Sequence, residues 1–185
     1  MIVHEPRGEN ALTLSFDVTL DAPRANVWRC WTESALLKEW YCPKPWRVEA
    51  ADLDVRPGGR FNTVFAGPAG ERHDNKGIFL SVEPQSKLVF TDGYTEGFVP
   101  APAHFMTGFV ELSDAGAGKT RMVWGARHAT EESAKTHLDM GFREGWKAAV
   151  QQLEETAQKL RGGAVAGLEK KARACLWFER SGLEA

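Results

Sequence analysis

Apolar side chains recur at steps of three or four residues through the last third of the chain, at Leu138, Phe142, Trp146, Ala149, Leu153, Ala157 and Leu160. That spacing stacks them along one face of a 3.6-residue helix. Arg143, Glu144, Lys147, Gln151, Gln152, Glu154, Glu155, Gln158 and Lys159 fall on the opposite, water-facing side. The pattern predicts a single long helix from about Thr130 to Arg161. Thr130 is placed as its N-cap, and Glu131 and Glu132 meet the positive end of the dipole. Gly162-Gly163 is the expected stop, where a left-handed residue closes the last turn. Gly141 and Gly145 lie inside this stretch, each costing about 1 kcal/mol relative to alanine in a helix interior. Two readings account for the pair: close packing of the helix on a neighbouring backbone, or space left for the wall of a cavity.

Earlier in the chain the period is two. Leu12, Leu14, Phe16, Val18 and Leu20 alternate with Thr13, Ser15, Asp17 and Thr19, which predicts a half-buried strand. Asp21-Ala22-Pro23 then opens a short helix that buries Val27, Trp28 and Trp31. A second short piece over Ser34 to Trp40 buries Leu36, Leu37 and Trp40. The prolines of Tyr41-Cys42-Pro43-Lys44-Pro45-Trp46 impose a loop. Strands follow over Arg47 to Val55, Arg60 to Ala66, Arg72 to Val82, Lys87 to Asp92, His104 to Ser113 and Thr120 to Arg127. Arg56-Pro57-Gly58-Gly59 reads as a tight turn, with proline in the second position and glycine in the third. It reads as a register-setting turn and not as an anion nest. The stretch from Gly93 to Pro102 is looser and carries Tyr94 and Phe98.

One strand, two short helices, six strands and a long helix make an α+β domain. An antiparallel sheet of this size cannot cover one of its faces alone, and curving around the long helix is the economical solution. Residues 1–11 form a lead, 12–161 the domain, and 162–185 a tail. The tail pattern allows a basic amphipathic helix over Leu168 to Phe178, with Lys170, Lys171 and Arg173 on its polar side.

Composition narrows the function without naming it. A net charge near −2 with interspersed signs argues against a nucleic-acid partner. No apolar run approaches the roughly 18 residues of a membrane span, and Met1 to Asn10 lacks the apolar core of a signal peptide. Cys30, Cys42 and Cys175 are odd in number and show no metal spacing, so reduced thiols in a cytoplasmic protein are the simplest account. Cys30, beside Trp31, reads as a small core residue. The chain has no GxSxG, HExxH, P-loop or GxGxxG motif, so no cofactor or metal is expected. His128 and His137, nine residues apart, match no metal-ligand spacing. His73 reads as solvated, and His104 as opening a strand near a cavity mouth.

Asp21-Ala22-Pro23, with Val27-Trp28-Arg29-Cys30-Trp31-Thr32 and Trp40, resembles the opening signature of the START-like (SRPBCC) superfamily. The similarity is to the branch named after the C-terminal domain of the activator of heat-shock protein 90 ATPase. Asp52-Leu53-Asp54-Val55-Arg56-Pro57-Gly58-Gly59-Arg60-Phe61 matches its turn motif. Gly77-Ile78-Phe79-Leu80-Ser81-Val82-Glu83-Pro84 with Leu88-Val89-Phe90-Thr91, and then Gly141-Phe142-Arg143-Glu144-Gly145-Trp146, continue the match to about Leu160.

This resemblance implies the helix-grip fold and a mostly apolar cavity between a curved antiparallel sheet and the C-terminal helix. Family members bind lipids, polyketides or other hydrophobic molecules; some cyclise or hydrate them, a few act as co-chaperones, and many dimerise. The expectation is binding of a small hydrophobic ligand. The first alternative is a cyclase- or hydratase-type enzyme using His104, His73 or Tyr94. The second is a chaperone-associated interaction protein, disfavoured because the signature begins within the first dozen residues. A homodimer is left open. The expected cavity wall comprises Trp40, Trp46, Phe61, Phe65, Tyr94, Phe98, His104, Met106, Met122, Trp124, Phe142 and Trp146. Within it, strand period puts Phe61, Thr63 and Phe65 on one face, and Met122, Trp124 and Ala126 on another.

Overall fold

The structure, a computed structural model, describes residues 2–4 and 12–180; for residues 2–4 and 162–180 it describes backbone elements alone. Strand β1 (Ile2–His4) is followed by β2 (Thr13–Leu20), helices α1 (Arg24–Thr32) and α2 (Ser34–Leu37), and strands β3 (Arg47–Leu53), β4 (Phe61–Ala66) and β5 (Arg72–Asn75). Then come β6 (Ile78–Glu83), β7 (Lys87–Thr91), the two-residue strands β8 (Tyr94–Thr95) and β9 (Val99–Pro100), β10 (Thr107–Asp114) and β11 (Thr120–Arg127). Helices α3 (Glu131–Asp139) and α4 (Phe142–Arg180) close the chain. The α+β class expected from the pattern is observed, with more elements than the expected one strand, two helices, six strands and one helix.

Six strands form an antiparallel sheet in the order β1-β2-β11-β10-β7-β6, and β3-β4-β5 form a second sheet. The two are joined at their edges by bridges from Pro57 to Phe79 and from Arg60 to Ile78. Phe61 N–H also donates to the Gly77 carbonyl at 2.9 Å. Register shifts at Val48/Ala50 and Phe79/Ser81 mark irregularities of the bulge type, which bend and twist strands. The resulting surface is concave toward α4.

Leu14, Phe16, Val18 and Leu20 of β2 and Met122, Trp124 and Ala126 of β11 are buried, as the alternation requires. All but Ala126 meet Phe142, Ala149, Val150, Leu153 and Ala157 of α4 in one core. Polar contacts then set how the short helices and their loop lie on α4. Gln152 donates from Nε2 to the carbonyls of Trp40 and Cys42, each at 2.9 Å. Asn26 donates to the Ala157 carbonyl at 3.1 Å.

Several expected boundaries move. Leu12 precedes β2 and is exposed, its carbonyl accepting from the His128 N–H at 2.8 Å. The stretch Arg72 to Val82 is two strands, because at Lys76-Gly77 the chain leaves one sheet for the other. Strand β10 begins at Thr107, so His104 lies in the preceding loop. The expected single helix is two. Thr130 caps the first, its Oγ1 accepting from Ser133 N–H at 3.1 Å, and Gly141 ends it with φ of 90°. A side chain is strained at such a φ, and glycine is not. Gly162-Gly163 does not stop α4, which continues to Arg180; glycine weakens a helix without forbidding its dihedrals. The side chains of the amphipathic pattern at Leu168 to Phe178, and Cys175 with them, lie outside the described ones. Residues 2–4 of the expected lead add an edge strand to the large sheet.

Leu153 is fully buried where α4 meets the sheet and α1. Leu153→Ala is expected to destabilise the fold by about 3 kcal/mol in urea unfolding, with the m-value unchanged. Lys147→Ala on the exposed side of the same helix should stay within about 0.5 kcal/mol of the parent.

Candidate functional site

Between the concave sheet and the first turns of α4 lies a cavity of about 650 Å³, a size suited to a small organic ligand. Strand β4 contributes Phe61, Thr63 and Phe65; β11 contributes Trp124; α4 contributes Phe142, Trp146 and Ala149. The rings pack in flat pairs: Trp124 stacks on Trp146 at 3.9 Å between centroids, and Phe61 on Phe90 at 4.5 Å. Exposed His73, Asp74, Asn75 and Lys76, with Ala103 and Met140, form the rim. A smaller concavity of about 330 Å³ lies among Ser86, Lys87, Glu111 and Arg121. It is polar and crossed by the Lys87–Glu111 ion pair at 3.5 Å, so it offers little apolar surface.

The glycine pair borders the cavity. A Cβ on Gly141 would meet nothing within 4 Å, and one on Gly145 would meet Pro43 at 3.7 Å. No backbone presses on either position, which rules out the close-packing reading and leaves the wall reading.

Of the twelve residues expected to form the wall, Phe61, Phe65, Met106, Trp124, Phe142 and Trp146 line it. The other six do not. Trp40 is fully buried in the core, its Nε1–H donated to the Cys30 carbonyl at 2.9 Å. Met122 is likewise sealed in the core. Trp46 stacks on His73 at 5.5 Å, outside the wall. Tyr94 and Phe98 belong to the exposed β8–β9 hairpin. His104 is exposed, 3.3 Å from Thr107 Oγ1 and 4.0 Å from Asp92 Oδ1. Strand period assigns a face correctly, but it cannot tell a cavity position from a filled core position one layer further along.

Polar groups that sequence spacing did not single out face the same space. His137, on the inner side of α3, lines the cavity, and its Nδ1 lies 3.0 Å from His128 Nε2. His128 Nδ1 lies 2.9 Å from the Phe105 carbonyl. Asp92 holds that segment in place, accepting from Phe105 N–H at 3.0 Å and Met106 N–H at 3.1 Å. Burial lowers the pKa of both imidazoles, that of His137 to about 4 with His128 adding to the effect. Both rings are therefore neutral at pH 7. Tyr41 also lines the cavity, and burial pushes its phenol upward, so it stays protonated. The Ala134–His137 spacing of three was the available sign that His137 faces inward. Metal-ligand spacing was the wrong template for a pair brought together by tertiary contact.

No group of three or more His, Cys, Asp or Glu that could hold a metal occurs among the described residues. Cys30 and Cys42 are free and buried, and burial raises their thiols to about 12 and about 11, far from the thiolate a nucleophile needs. Trp31 Nε1 and Trp124 Nε1 are buried and have no hydrogen-bond partner among the described residues.

A curved antiparallel sheet closed over a long helix, with an aromatic cavity between them, places the protein among helix-grip folds. The sequence pattern of the family described as activator of Hsp90 ATPase homolog 1-like protein matches residues 21–158, and the chain belongs to that family. No curated protein matches the chain. A crystal structure of a Nitrosomonas europaea protein is similar at 37% identity and a TM-score of 0.80, over 84% of this chain and 99% of that one. A Mycobacterium smegmatis protein is 25% identical with a TM-score of 0.72, over 86% of this chain and 98% of that one. A solution structure from Arthrobacter aurescens, 24% identical over 85% of this chain and 91% of that one, has a TM-score of 0.72 and shares the fold.

The imidazole environment sets a pH dependence. The unfolded chain binds a proton at His137 near the ordinary value of 6.5, whereas the folded protein binds it near 4. Stability is therefore fully present above about 6.5 and falls as pH drops toward 4, with His128 acting in the same direction. Carboxylates titrate in the same range, so the difference between parent and His137→Phe isolates this contribution. The parent's melting temperature is expected to fall more steeply than the variant's between pH 6.5 and 4.

Proposed function

We propose that this protein binds a small, largely apolar molecule in the cavity between β4, β11 and α4. One observation carries this reading: about 650 Å³ of space is walled by Phe61, Trp124, Phe142 and Trp146 at a place where the rest of the core is tightly packed. Protein interiors leave few voids larger than a water molecule, so an aromatic space of this volume suits a guest. Membership of the family agrees with it. We place the protein in the cytoplasm on the reduced state of Cys30 and Cys42; no helix among the described residues is long and apolar enough to cross a membrane.

The second reading is an enzyme acting in the same cavity, and His137 on the wall is what favours it. A base with a pKa of about 4 abstracts protons poorly at neutral pH. The observed pair therefore suits binding better than proton transfer.

Gly145 offers a direct test. Gly145→Met places a long side chain at the cavity lining in the first turn of α4, where a Cβ makes only ordinary contact with Pro43 at 3.7 Å. The parent should gain melting temperature from an aromatic ligand and show quenched tryptophan emission; at 100 times Kd the gain corresponds to about 2.7 kcal/mol. The variant should keep the parent's unliganded melting temperature and lose both responses. Equal responses in the two proteins would place the ligand elsewhere.

A further inference from the structure

The His128–His137 contact has a defined polarity that follows from its outer partner. A carbonyl oxygen only accepts, so the bond to Phe105 requires the His128 proton on Nδ1. The neutral His128 ring then has a bare Nε2, and the 3.0 Å contact requires His137 to donate from its own Nδ1. His137, also neutral, is left with a bare Nε2 that has no hydrogen-bond partner among the described residues. That nitrogen is not among the unpartnered atoms sealed from solvent. Its ring lines the cavity, held edge-on by Phe105 at 5.3 Å, Phe142 at 5.1 Å and Trp146 at 5.6 Å. The cavity thus presents a preorganised imidazole acceptor set among aromatic rings, alongside the other polar groups of its lining, Tyr41, Thr63, Thr91 and Asp92.

Resting on the binding function proposed above, we infer that the cavity selects flat aromatic molecules carrying a hydroxyl group donated to His137 Nε2. His128 is the positioning residue that holds the tautomer. Flat walls, with Trp124 on Trp146 and Phe61 on Phe90, match a planar ring better than a flexible chain. A phenolic O–H is a strong donor for an imidazole nitrogen. A carboxylate is a poor match, because its oxygens would meet the Nε2 lone pair with Asp92 on the same wall. An ether analogue of the same shape leaves Nε2 desolvated and unpaired, and such a loss is where sites of this kind discriminate most.

Calorimetric titration of the full chain with 2-naphthol and with 2-methoxynaphthalene tests this. The parent is expected to bind the naphthol about tenfold more tightly. His137→Phe, which keeps a ring of similar size, should erase the preference while retaining affinity for the ether. Equal affinities in the parent, or a preference that survives in His137→Phe, would overturn the inference and leave the cavity-binding function standing. If neither compound binds the folded parent, both fall. Nitrogen-15 imidazole spectra of the parent give a readout that needs no variant: His137 should show a protonated Nδ1 and a bare Nε2. In His128→Ala both tautomers of His137 should appear, and the naphthol preference should shrink. The opposite tautomer in the parent, or an unchanged His137 spectrum in His128→Ala, would overturn the role given to His128.

Discussion

The contact between Trp146 and Trp124 is the constraint on which the rest of the structure depends. Their rings stack at 3.9 Å, tying the start of α4 to the middle of the concave sheet. Phe142 and Phe16, 5.2 Å apart, extend the same contact toward β2. Because large rings hold the helix off the strands, the sheet curves around it without collapsing onto it. Space remains beside the stack, and that space is the cavity.

The helix break at Gly141 belongs to the same arrangement. A continuous helix from Thr130 would carry His137 and Trp146 along one straight axis. The left-handed residue ends α3 and lets α4 start afresh, so that both side chains reach the same cavity from two helices. His137 then finds His128, at the end of β11, and the pair is buried among Phe105, Phe142 and Trp146. In such surroundings a charged imidazole is costly, and a directional bond between neutral rings is the stable alternative. The polarity of that bond is set further out, by the Phe105 carbonyl, whose backbone is held by Asp92.

A shared fold does not fix a chemistry, so function has to be argued from the walls of the cavity. In this chain aromatic rings make up the inner walls, polar and charged side chains cluster at the rim, and burial keeps the thiols of Cys30 and Cys42 protonated. These features favour a binding protein that distinguishes ligands by shape and by one hydrogen bond.

Local pattern alone determined a good part of this. The alternation of Leu14, Phe16, Val18 and Leu20, the proline and glycine of Arg56-Pro57-Gly58-Gly59, and the helical spacing of Phe142, Trp146 and Leu153 each depend on neighbouring residues, so these elements and the α+β class could be read directly. The grouping of side chains by face on β4 and β11 followed from the same period, whereas which face turns inward depended on where the helix lies. Tertiary structure decided what period cannot encode. Met122 and Trp124 share a face two residues apart, yet one is sealed in the core and the other borders open space. Tyr94 and Phe98 have the composition of a cavity wall but sit on an exposed hairpin. His128 and His137 become partners because β11 and α3 bring them together, a contact no spacing rule contains. A side chain's direction is a local property, whereas the emptiness or fullness of the space it points into depends on every element that surrounds it.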